Sequence, residues 1–249
     1  FIPEENHKWG CFDYSQQEPR LVVHYAASTE PICFDESVTN IVARFNKNDV
    51  DFHQTVADMA NISRTQAKTI NLGLFYGMGK AKLQAELGLN KREEAEDLFN
   101  QYHQNVPFVK DLMNYTSRQA QTSGSIGTLL GRRCRFTKWE PNQFGMHKPM
   151  SFEEAERTYG RGRIRRAFTY KALNKLIQGS AADMTKKAML DLYKEKIVPH
   201  VQIHDELDIS VESDEKAKRI IEIMERAVTL KVPNKVDYES GKTWGDIYD

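Results

Sequence analysis

Cysteine is scarce in this 249-residue sequence, and its three cysteines follow no recognisable pattern. Cys11, Cys33 and Cys134 lie far apart and lack the C-x-x-C spacing found in zinc sites and redox motifs. The sequence therefore predicts neither a disulfide framework nor a zinc site. Such cysteine usage is typical of a reducing, intracellular compartment.

Long apolar runs and a surplus of charge of one sign are also missing. No apolar run reaches the roughly 18 residues of a membrane-spanning helix, so we expect no membrane association. The N-terminal FIPEENHKWG lacks the apolar core of a signal peptide. Basic and acidic residues both total 35. A formal charge of zero does not predict a nucleic-acid-binding protein, but it is compatible with a basic groove beside an acidic site.

The remaining composition and periodicity indicate a globular α+β protein. With 40% hydrophobic residues, the chain can bury a core in one large or two smaller domains. Helical patterns dominate, including 38–60 with a polar break at 47–53, 61–79, 92–121 with an interruption at Pro107, and 163–196, whereas 139–162 is rich in loop signals. Strand patterns occur at both ends of the chain. We therefore expect one mixed domain with a helical insertion.

The stretch VQIHDELDIS at residues 201–210 carries adjacent carboxylates inside a strand-like pattern. Apolar residues alternate with polar ones, which predicts a half-buried strand over 201–211. Yet His204, Asp205 and Glu206 stand at its centre, and buried unpaired acids are costly. Two interpretations follow: an exposed hairpin tip, or a site that holds a divalent cation.

A second carboxylate pair occurs near the N-terminus, in CFDYSQQEPR at residues 11–20. Asp13 follows an aromatic, strand-like entry, and Glu18 lies five positions later. Asp13 is compatible with an ordinary helix cap. Asp13 and Asp205 together could also bridge two divalent ions for phosphoryl transfer, because Mg²⁺ prefers oxygen ligands.

A third pattern places cations, an apolar residue and an aromatic ring on one helix face. In SRTQAKTINLGLFYG, residues Arg64, Lys68, Leu72 and Tyr76 recur every four positions. A nucleoside triphosphate makes the same demands, since phosphates need cations and a base needs a flat or apolar partner. The alternative is an amphipathic helix with a solvated basic end.

These three segments, in this order, resemble the motifs of family A DNA polymerases. FDYSQQEPR resembles the first palm motif, RTQAKTINLGLFYG the fingers-helix motif and QIHDEL the third motif of that family. Similar segments also include DFHQTVA (51–57), TLLGRRCRF (128–136), ALNKLIQGSAADM (172–184) and the terminal Trp-Gly-Asp (244–246). The resemblance extends from about residue 8 to the end of the chain.

The resemblance implies a DNA-directed DNA polymerase that adds deoxynucleotides to a primer 3′ end, in replication or repair. It implies two Mg²⁺ ions, with Mn²⁺ as a substitute, held by Asp13 and Asp205. The backbone carbonyl of Tyr14 would add a ligand, and Glu206 is a less essential candidate. Lys68 would act in catalysis by protonating the departing pyrophosphate.

The resemblance also assigns substrate contacts. The implied nucleotide-binding residues are Arg64, Lys68, Leu72, Tyr76, Glu18 and Gln17. The implied DNA-binding residues are Asn174, Gln178, His204, Gly77 and Arg132. In this assignment the Glu18 carboxylate packs against the sugar and excludes a 2′-hydroxyl by volume.

The sequence departs from the family pattern at several positions. Leu72 replaces the usual Phe or Tyr, so the ring contact to the nucleotide is lost. Pro19 stands beside Glu18 and cannot donate a backbone hydrogen bond. Tyr170 stands where the family often has an arginine, and no role is carried over to it. The family also turns the chain at His-Asp-Glu, so we favour a hairpin over a single strand at 201–211.

The resemblance implies a domain organisation and partners. The palm would comprise residues 1–37 and 166–249, and the fingers 38–165 with the nucleotide-binding helix at about 61–78. No thumb or exonuclease is encoded before residue 8, so we expect that portion to be cleaved off or supplied by another chain. The expected partners are primer-template DNA and deoxynucleoside triphosphates. The expected location is the cytoplasm of a bacterium or phage-infected host, or an organelle.

Two other functions remain open at this point. One is a DNA-binding subunit that has lost catalysis and serves assembly. The other is a two-metal nuclease, which shares the carboxylates but has no use for Arg64, Lys68 and Tyr76 in register.

Overall fold

Helices and short strands alternate along the chain. The computed structural model describes residues 1–47, 51–75, 80–143 and 145–248. The strands are β1 Lys8–Tyr14, β2 Ser125–Gly127, β3 Arg133–Arg135, β4 Trp139–Pro141, β5 Ile164–Arg166, β6 Val201–Ile203, β7 Glu206–Val211 and β8 Val236–Gly241. The helices are α1 Gln17–Ser28, α2 Glu36–Asn46, α3 Phe52–Ala60, α4 Arg64–Phe75, α5 Lys80–Glu86, α6 Arg92–Asn105, α7 Pro107–Ser123, α8 Phe152–Tyr159, α9 Ala172–Lys194, α10 Asp214–Arg226 and α11 Gly245–Tyr248.

The central sheet combines strands from both ends of the chain. Its order is β6-β7-β1-β8, and every neighbouring pair is antiparallel. Successive side chains of β1 point to opposite faces. Phe12 and Tyr14 point into a core against α9 and α10, while Asp13 points to the other face. Gly10 permits close strand packing, because a Cβ there would lie 2.7 Å from Cγ2 of Val211.

The helices before residue 124 form a second core. Several begin at side-chain caps, as Asp35 does for α2 and Asp51 for α3, each accepting backbone N–H bonds. The helical pattern over 92–121 forms two helices, α6 and α7. Pro107 is the first residue of α7. The buried residues of this core include Leu21, Phe45, Phe52, Ile70, Tyr102, Phe108 and Leu112.

Helix α9 joins the two cores. Leu173 and Ile177 in its first half pack into the helical core, whereas Ala188 and Leu192 in its second half pack under the sheet. The helix therefore fixes the helical part relative to the strands. None of the described helices is long and apolar enough to cross a bilayer. The combination of helices with small antiparallel sheets confirms the predicted α+β class.

The segment between α7 and α9 differs from its sequence prediction. The predicted helix over 163–196 is wrong at its start, because residues 164–166 form β5 and pair with β4. That pairing is made across more than twenty residues of sequence, which helical periodicity cannot detect. The prediction of loops over 139–162 did not include helix α8. This helix is capped by the Ser151 hydroxyl, which accepts from the backbone N–H of Glu154. Residues 125–127 and 133–135 pair as the antiparallel strands β2 and β3.

Residues 201–211 form the hairpin that the resemblance favoured over a single strand. β6 and β7 pair in the register Ile203 to Glu206, and residues 204–205 form the turn between them. His204 has a φ of 53°, in the left-handed region that turns require and strands exclude. The prediction of one continuous strand is wrong.

Candidate active site

The sheet gathers the predicted catalytic carboxylates at one edge of a cleft. Asp13 lies opposite Glu206 on β7 and opposite Asp237 on β8. The backbone N–H of Tyr14 donates to the carbonyl of Asp205 at 3.4 Å. Positions 13 and 205, distant in sequence, are therefore neighbours in the fold.

Burial and the close packing of these acids raise the pKa of Asp13, and burial also raises the pKa of Asp205. Burial raises the pKa of Asp13 from 3.8 to about 7, and repulsion from Asp205, Glu206 and Asp237 contributes. Burial also raises the pKa of Asp205, opposed by a backbone hydrogen bond and by nearby His204. Half-buried carboxylates that repel one another favour a bound cation, and their oxygen atoms suit a hard divalent ion. The residues present therefore fit Mg²⁺ or Mn²⁺.

Tyr14 can contribute to this site only through its backbone. Its hydroxyl donates to the carbonyl of Met224 at 2.6 Å on the buried side of the sheet. Its ring thus anchors β1 to the end of α10. This contact holds the neighbouring Asp13 on the cleft side.

Two adjoining cavities run along the acids. The larger, of about 770 Å³, is lined by Gln16, Gln17, Glu18, Pro19, His53, Gln178, Ala181, Ala182, Gln202, His204 and Asp205. The smaller, of about 530 Å³, is lined by Asp13, Ile203, His204, Asp205, Glu206, Trp244 and Gly245. They share His204 and Asp205. The cleft can therefore place one ligand on each side of the carboxylates.

The first turn of α1 presents Glu18 to this cleft but turns Gln17 inward. Gln17 is buried, and its Nε2 donates to the Thr185 hydroxyl at 3.2 Å. Gln17 therefore links α1 to α9 through this hydrogen bond and also lines the larger cavity. Glu18 is half-buried on the cavity wall.

Helix α4 supplies the predicted cations. It begins with a capping box, in which the backbone N–H of Gln66 donates to the Ser63 hydroxyl and the N–H of Ser63 donates to Oε1 of Gln66. Arg64 is the first helical residue, and its Nε donates to Oδ2 of Asp51 at 2.6 Å. Lys68 follows one turn later and is exposed. Leu72 lies in α4, but its side chain and all of Tyr76 and Gly77 lie outside the described residues.

A candidate site residue that the sequence interpretation missed is His53. It lines the larger cavity, and Asp51 at the cap of its helix is the partner of Arg64. Its Nδ1 is 3.2 Å from Nδ2 of Asn71, whose Oδ1 accepts from the buried Tyr102 hydroxyl. Because Tyr102 occupies the amide oxygen, the amide nitrogen faces His53. The His53 proton is then held on Nε2, as a donor. The DFHQTVA segment was the available signal.

Arg132 is held against α9 by a buried acid. Its Nε donates to Oδ1 of Asp183 at 2.9 Å, and its NH2 group donates to the carbonyl of Gly179 at 2.7 Å. The Thr128 hydroxyl also donates to Asp183. Gly179 permits this approach, because a Cβ there would lie 2.6 Å from Cγ2 of Thr128. The predicted DNA contacts Asn174 and Gln178 lie on the same helix, half-buried and exposed respectively.

The family model of DNA polymerase family A matches residues 1–246. This chain belongs to DNA polymerase family A. The predicted family is confirmed, as is the order of the motifs that suggested it.

Curated relatives in family A are similar over nearly the whole chain. A DNA-directed DNA polymerase of Pseudomonas phage M6 is 34% identical over 98% of this chain. DNA polymerase I of Geobacillus stearothermophilus is 36% identical over 99% of it. The chain spans 39% of the phage protein and 27% of the bacterial one.

A solved structure shows the same fold. It is described as the POL domain of Pol1 from M. smegmatis in complex with DNA primer-template and dNTP. It matches 100% of this chain with a TM-score of 0.76 and 27% identity, and the match covers 42% of its own chain. The family A chain thus shares its architecture with a polymerase domain.

Proposed function

We propose that this chain is the catalytic portion of a template-directed DNA polymerase acting in replication or repair. The observation that carries the proposal is that the segments of Asp13 and Asp205 meet and that both residues line one cavity, while Asp205 also borders the second. One cavity borders nucleotide-binding candidates, and the other borders the turn at His204. A primer end and a nucleotide could thus meet at the carboxylates.

The metals would be held by the carboxylates of Asp13 and Asp205, by the backbone carbonyl of Tyr14 and, as an optional ligand, by Glu206. When bound, two Mg²⁺ or Mn²⁺ ions supply charge neutralisation and lower the pKa of the attacking hydroxyl. The raised pKa of Asp13 supports this assignment, because a cation would offset the burial and the repulsion that raise it.

The triphosphate would lie along α3 and α4. Arg64 and Lys68 supply cations, and the Nε2–H of His53 supplies a hydrogen-bond donor. The primer 3′-hydroxyl would lose its proton to water as its oxygen attacks the α-phosphorus, and the bond from that phosphorus to the pyrophosphate oxygen would break. Lys68 donates a proton to the departing pyrophosphate. Because Asp51 pairs with Arg64, the triphosphate competes with an internal carboxylate for this cation.

The sugar and the DNA would contact the remaining candidates. Glu18 packs against the sugar and excludes a 2′-hydroxyl, with Gln17 supporting the wall of the cavity. Leu72 and Tyr76 would contact the nucleotide. The primer-template would contact Asn174, Gln178, His204, Gly77 and Arg132.

The domain assignment belongs to the same proposal. The palm comprises residues 1–37 and 166–249, and the fingers comprise 38–165. The central sheet with α9 and α10 supports a palm, and α2, α3, α4, α6 and α7 of the proposed fingers share one helical core, against which α1 and the first half of α9 pack from the palm side. A further portion, in the same polypeptide or on another chain, would grip the duplex.

Primer extension with the complete protein tests the proposal. Asp13→Ala should abolish extension, while Asp214→Ala, an exposed acid at the start of α10, should leave it unchanged. Lys68→Ala should slow incorporation and raise the nucleotide requirement far more than it weakens DNA binding.

Three outcomes count against the proposal. Intact DNA binding without extension by the parent protein would favour an assembly subunit. Degradation of DNA without binding of deoxynucleotides would favour a nuclease. Full activity of Asp13→Ala would contradict the assigned metal site.

A further inference from the structure

Two aromatic rings and a lysine lie exposed immediately before α9. Phe168 is 39% exposed and Tyr170 is 54% exposed. Their ring centroids are 6.5 Å apart, and the Lys171 ammonium lies 5.1 Å and 5.7 Å from them. We name Phe168, Tyr170 and Lys171 the aromatic platform. It offers two exposed ring surfaces, inclined at 61° to each other, with a cation beside them.

The backbone holds this surface outward. Phe168 has a φ of 65° and a ψ of 12°, a left-handed conformation that is uncommon for a bulky residue. The backbone N–H of Lys171 donates to the carbonyl of Phe168 at 2.9 Å and closes the turn. A phenylalanine side chain gains more free energy when it is buried than in this exposed position. This turn keeps the Phe168 ring at the surface beside Tyr170 and Lys171, where a ligand can reach all three.

The platform is in register with the cleft. Tyr170, Asn174 and Gln178 recur every four residues, so they follow one face of α9 and the turn that leads into it. Gln178 borders the larger cavity with Asp205. At 1.5 Å per residue the platform lies about 12 Å from Gln178 along the helix. This is the span of a few nucleotides.

The surroundings of the platform are basic and polar. Residues 132–171 contain eleven lysines and arginines but four acids, in a chain whose totals are equal. A groove of about 520 Å³ between α7 and β5 is lined by Arg118 and Arg165, together with Asn114, Ser117, Gln121, Asn142, Ile164 and Thr169. Arg165 also pairs with Glu140, so part of this charge is compensated. The remaining positive charge is complementary to a phosphate backbone.

We propose that the aromatic platform binds the unpaired template strand beyond the primer terminus. Aromatic rings stack on single-stranded bases, whose faces are free, whereas duplex bases are already stacked on each other. Lys171 and the arginines of the adjoining groove contact the phosphates. The inference rests on the proposed polymerase function and adds a surface for one DNA strand outside the cavities.

Equilibrium binding of labelled DNA to the complete protein tests the platform. The two probes are a primer-template with an oligo-dT template overhang and the same duplex with a flush end. Tyr170→Ala should weaken binding of the overhang probe by roughly tenfold, the effect of one lost stacking contact. It should change binding of the flush probe by less than about twofold.

Two further variants serve as controls. Tyr170→Phe keeps the ring and should retain the affinity for the overhang. Tyr193→Ala removes another exposed tyrosine from the far end of α9, about 33 Å away by helix rise, and should bind both probes like the parent.

The results separate this inference from the proposed function. Equal losses on both probes, or no loss on the overhang probe, would overturn the platform. If the parent still extends primers in that case, only the platform is wrong. If the parent neither extends primers nor binds deoxynucleotides, the polymerase proposal itself fails.

Discussion

Asp183 offers the sharpest test of how the chain holds the loop between β2 and β3, which carries the proposed DNA contact Arg132. Its side chain is 8% exposed and accepts from the Thr128 hydroxyl, the Leu130 backbone N–H at 3.4 Å and Arg132 Nε at 2.9 Å. These bonds fasten the loop between β2 and β3 to α9. Asp183→Ala removes the shared acceptor and leaves three donors without it.

The expected cost follows from the exposure of each donor. A hydrogen bond to a charged group contributes about 1.5–3 kcal/mol when buried. The Thr128 hydroxyl can turn to the carbonyl of Arg132, 3.1 Å away, and the half-exposed Arg132 regains water. We therefore expect Asp183→Ala to lower the free energy of unfolding by about 3 kcal/mol rather than the full sum. Asp183→Asn, which keeps one acceptor, should cost about half as much.

Thermal and urea denaturation followed by circular dichroism measure this difference. For a chain of this size, about 3 kcal/mol corresponds to a fall in melting temperature of roughly 6–12 °C. Asp191→Ala is the matched control, because Asp191 pairs with Lys187 and Lys194 on the surface of the same helix. Surface pairs contribute less than about 1 kcal/mol. If Asp183→Ala melts no lower than Asp191→Ala, the loop is not held in the way described.

Three further predictions concern the nucleotide site and the helical core. Tyr102→Phe removes the hydrogen bond that orients the Asn71 amide, so that Asn71 no longer fixes which His53 nitrogen carries the proton. We expect a severalfold higher KM for deoxynucleotides with a smaller change in kcat. An unchanged KM in steady-state titration would contradict that role. Glu18→Ala should raise ribonucleotide incorporation or slow the reaction, and strict deoxynucleotide selectivity at full speed would count against the sugar contact. Burial lowers the pKa of His103 from 6.5 to about 4, so the unfolded chain takes up its proton first as the pH falls from 6.5 towards 4, and native stability is lost there. His103→Leu should therefore gain stability relative to the parent by about 1–2 kcal/mol more near pH 5 than near pH 7.5, and parallel urea titrations that show equal differences at both pH values would refute this.

The motifs allowed much of the site to be predicted, because their residue types carry the chemistry themselves. Asp13 and Asp205 were chosen as partners from sequence order and resemblance, and the register of β1 with β7 brings the two segments together. Arg64 and Lys68 were placed on one helix by their spacing, and α4 contains both. Their roles in catalysis stay predictions until they are measured.

Other features depended on contacts between distant segments. The Asn71 amide that orients His53 is itself oriented by Tyr102, thirty-one residues further along the chain. Asp183 meets Thr128 and Arg132 across more than fifty residues. No local pattern distinguishes such a buried acid from a solvated one, because its partners are chosen by the packing of the loop on α9.

The family and the mixed α and β composition could be predicted from the motifs and their order alone. The same motifs identify the candidate reactive side chains. The tertiary structure decided that residues 201–211 turn at His204 and that residues 164–166 pair with β4 instead of extending α9. The first outcome rests on a tight turn at His204, and the second on pairing between strands more than twenty residues apart. A local pattern permits such pairing, and only the folded arrangement selects it.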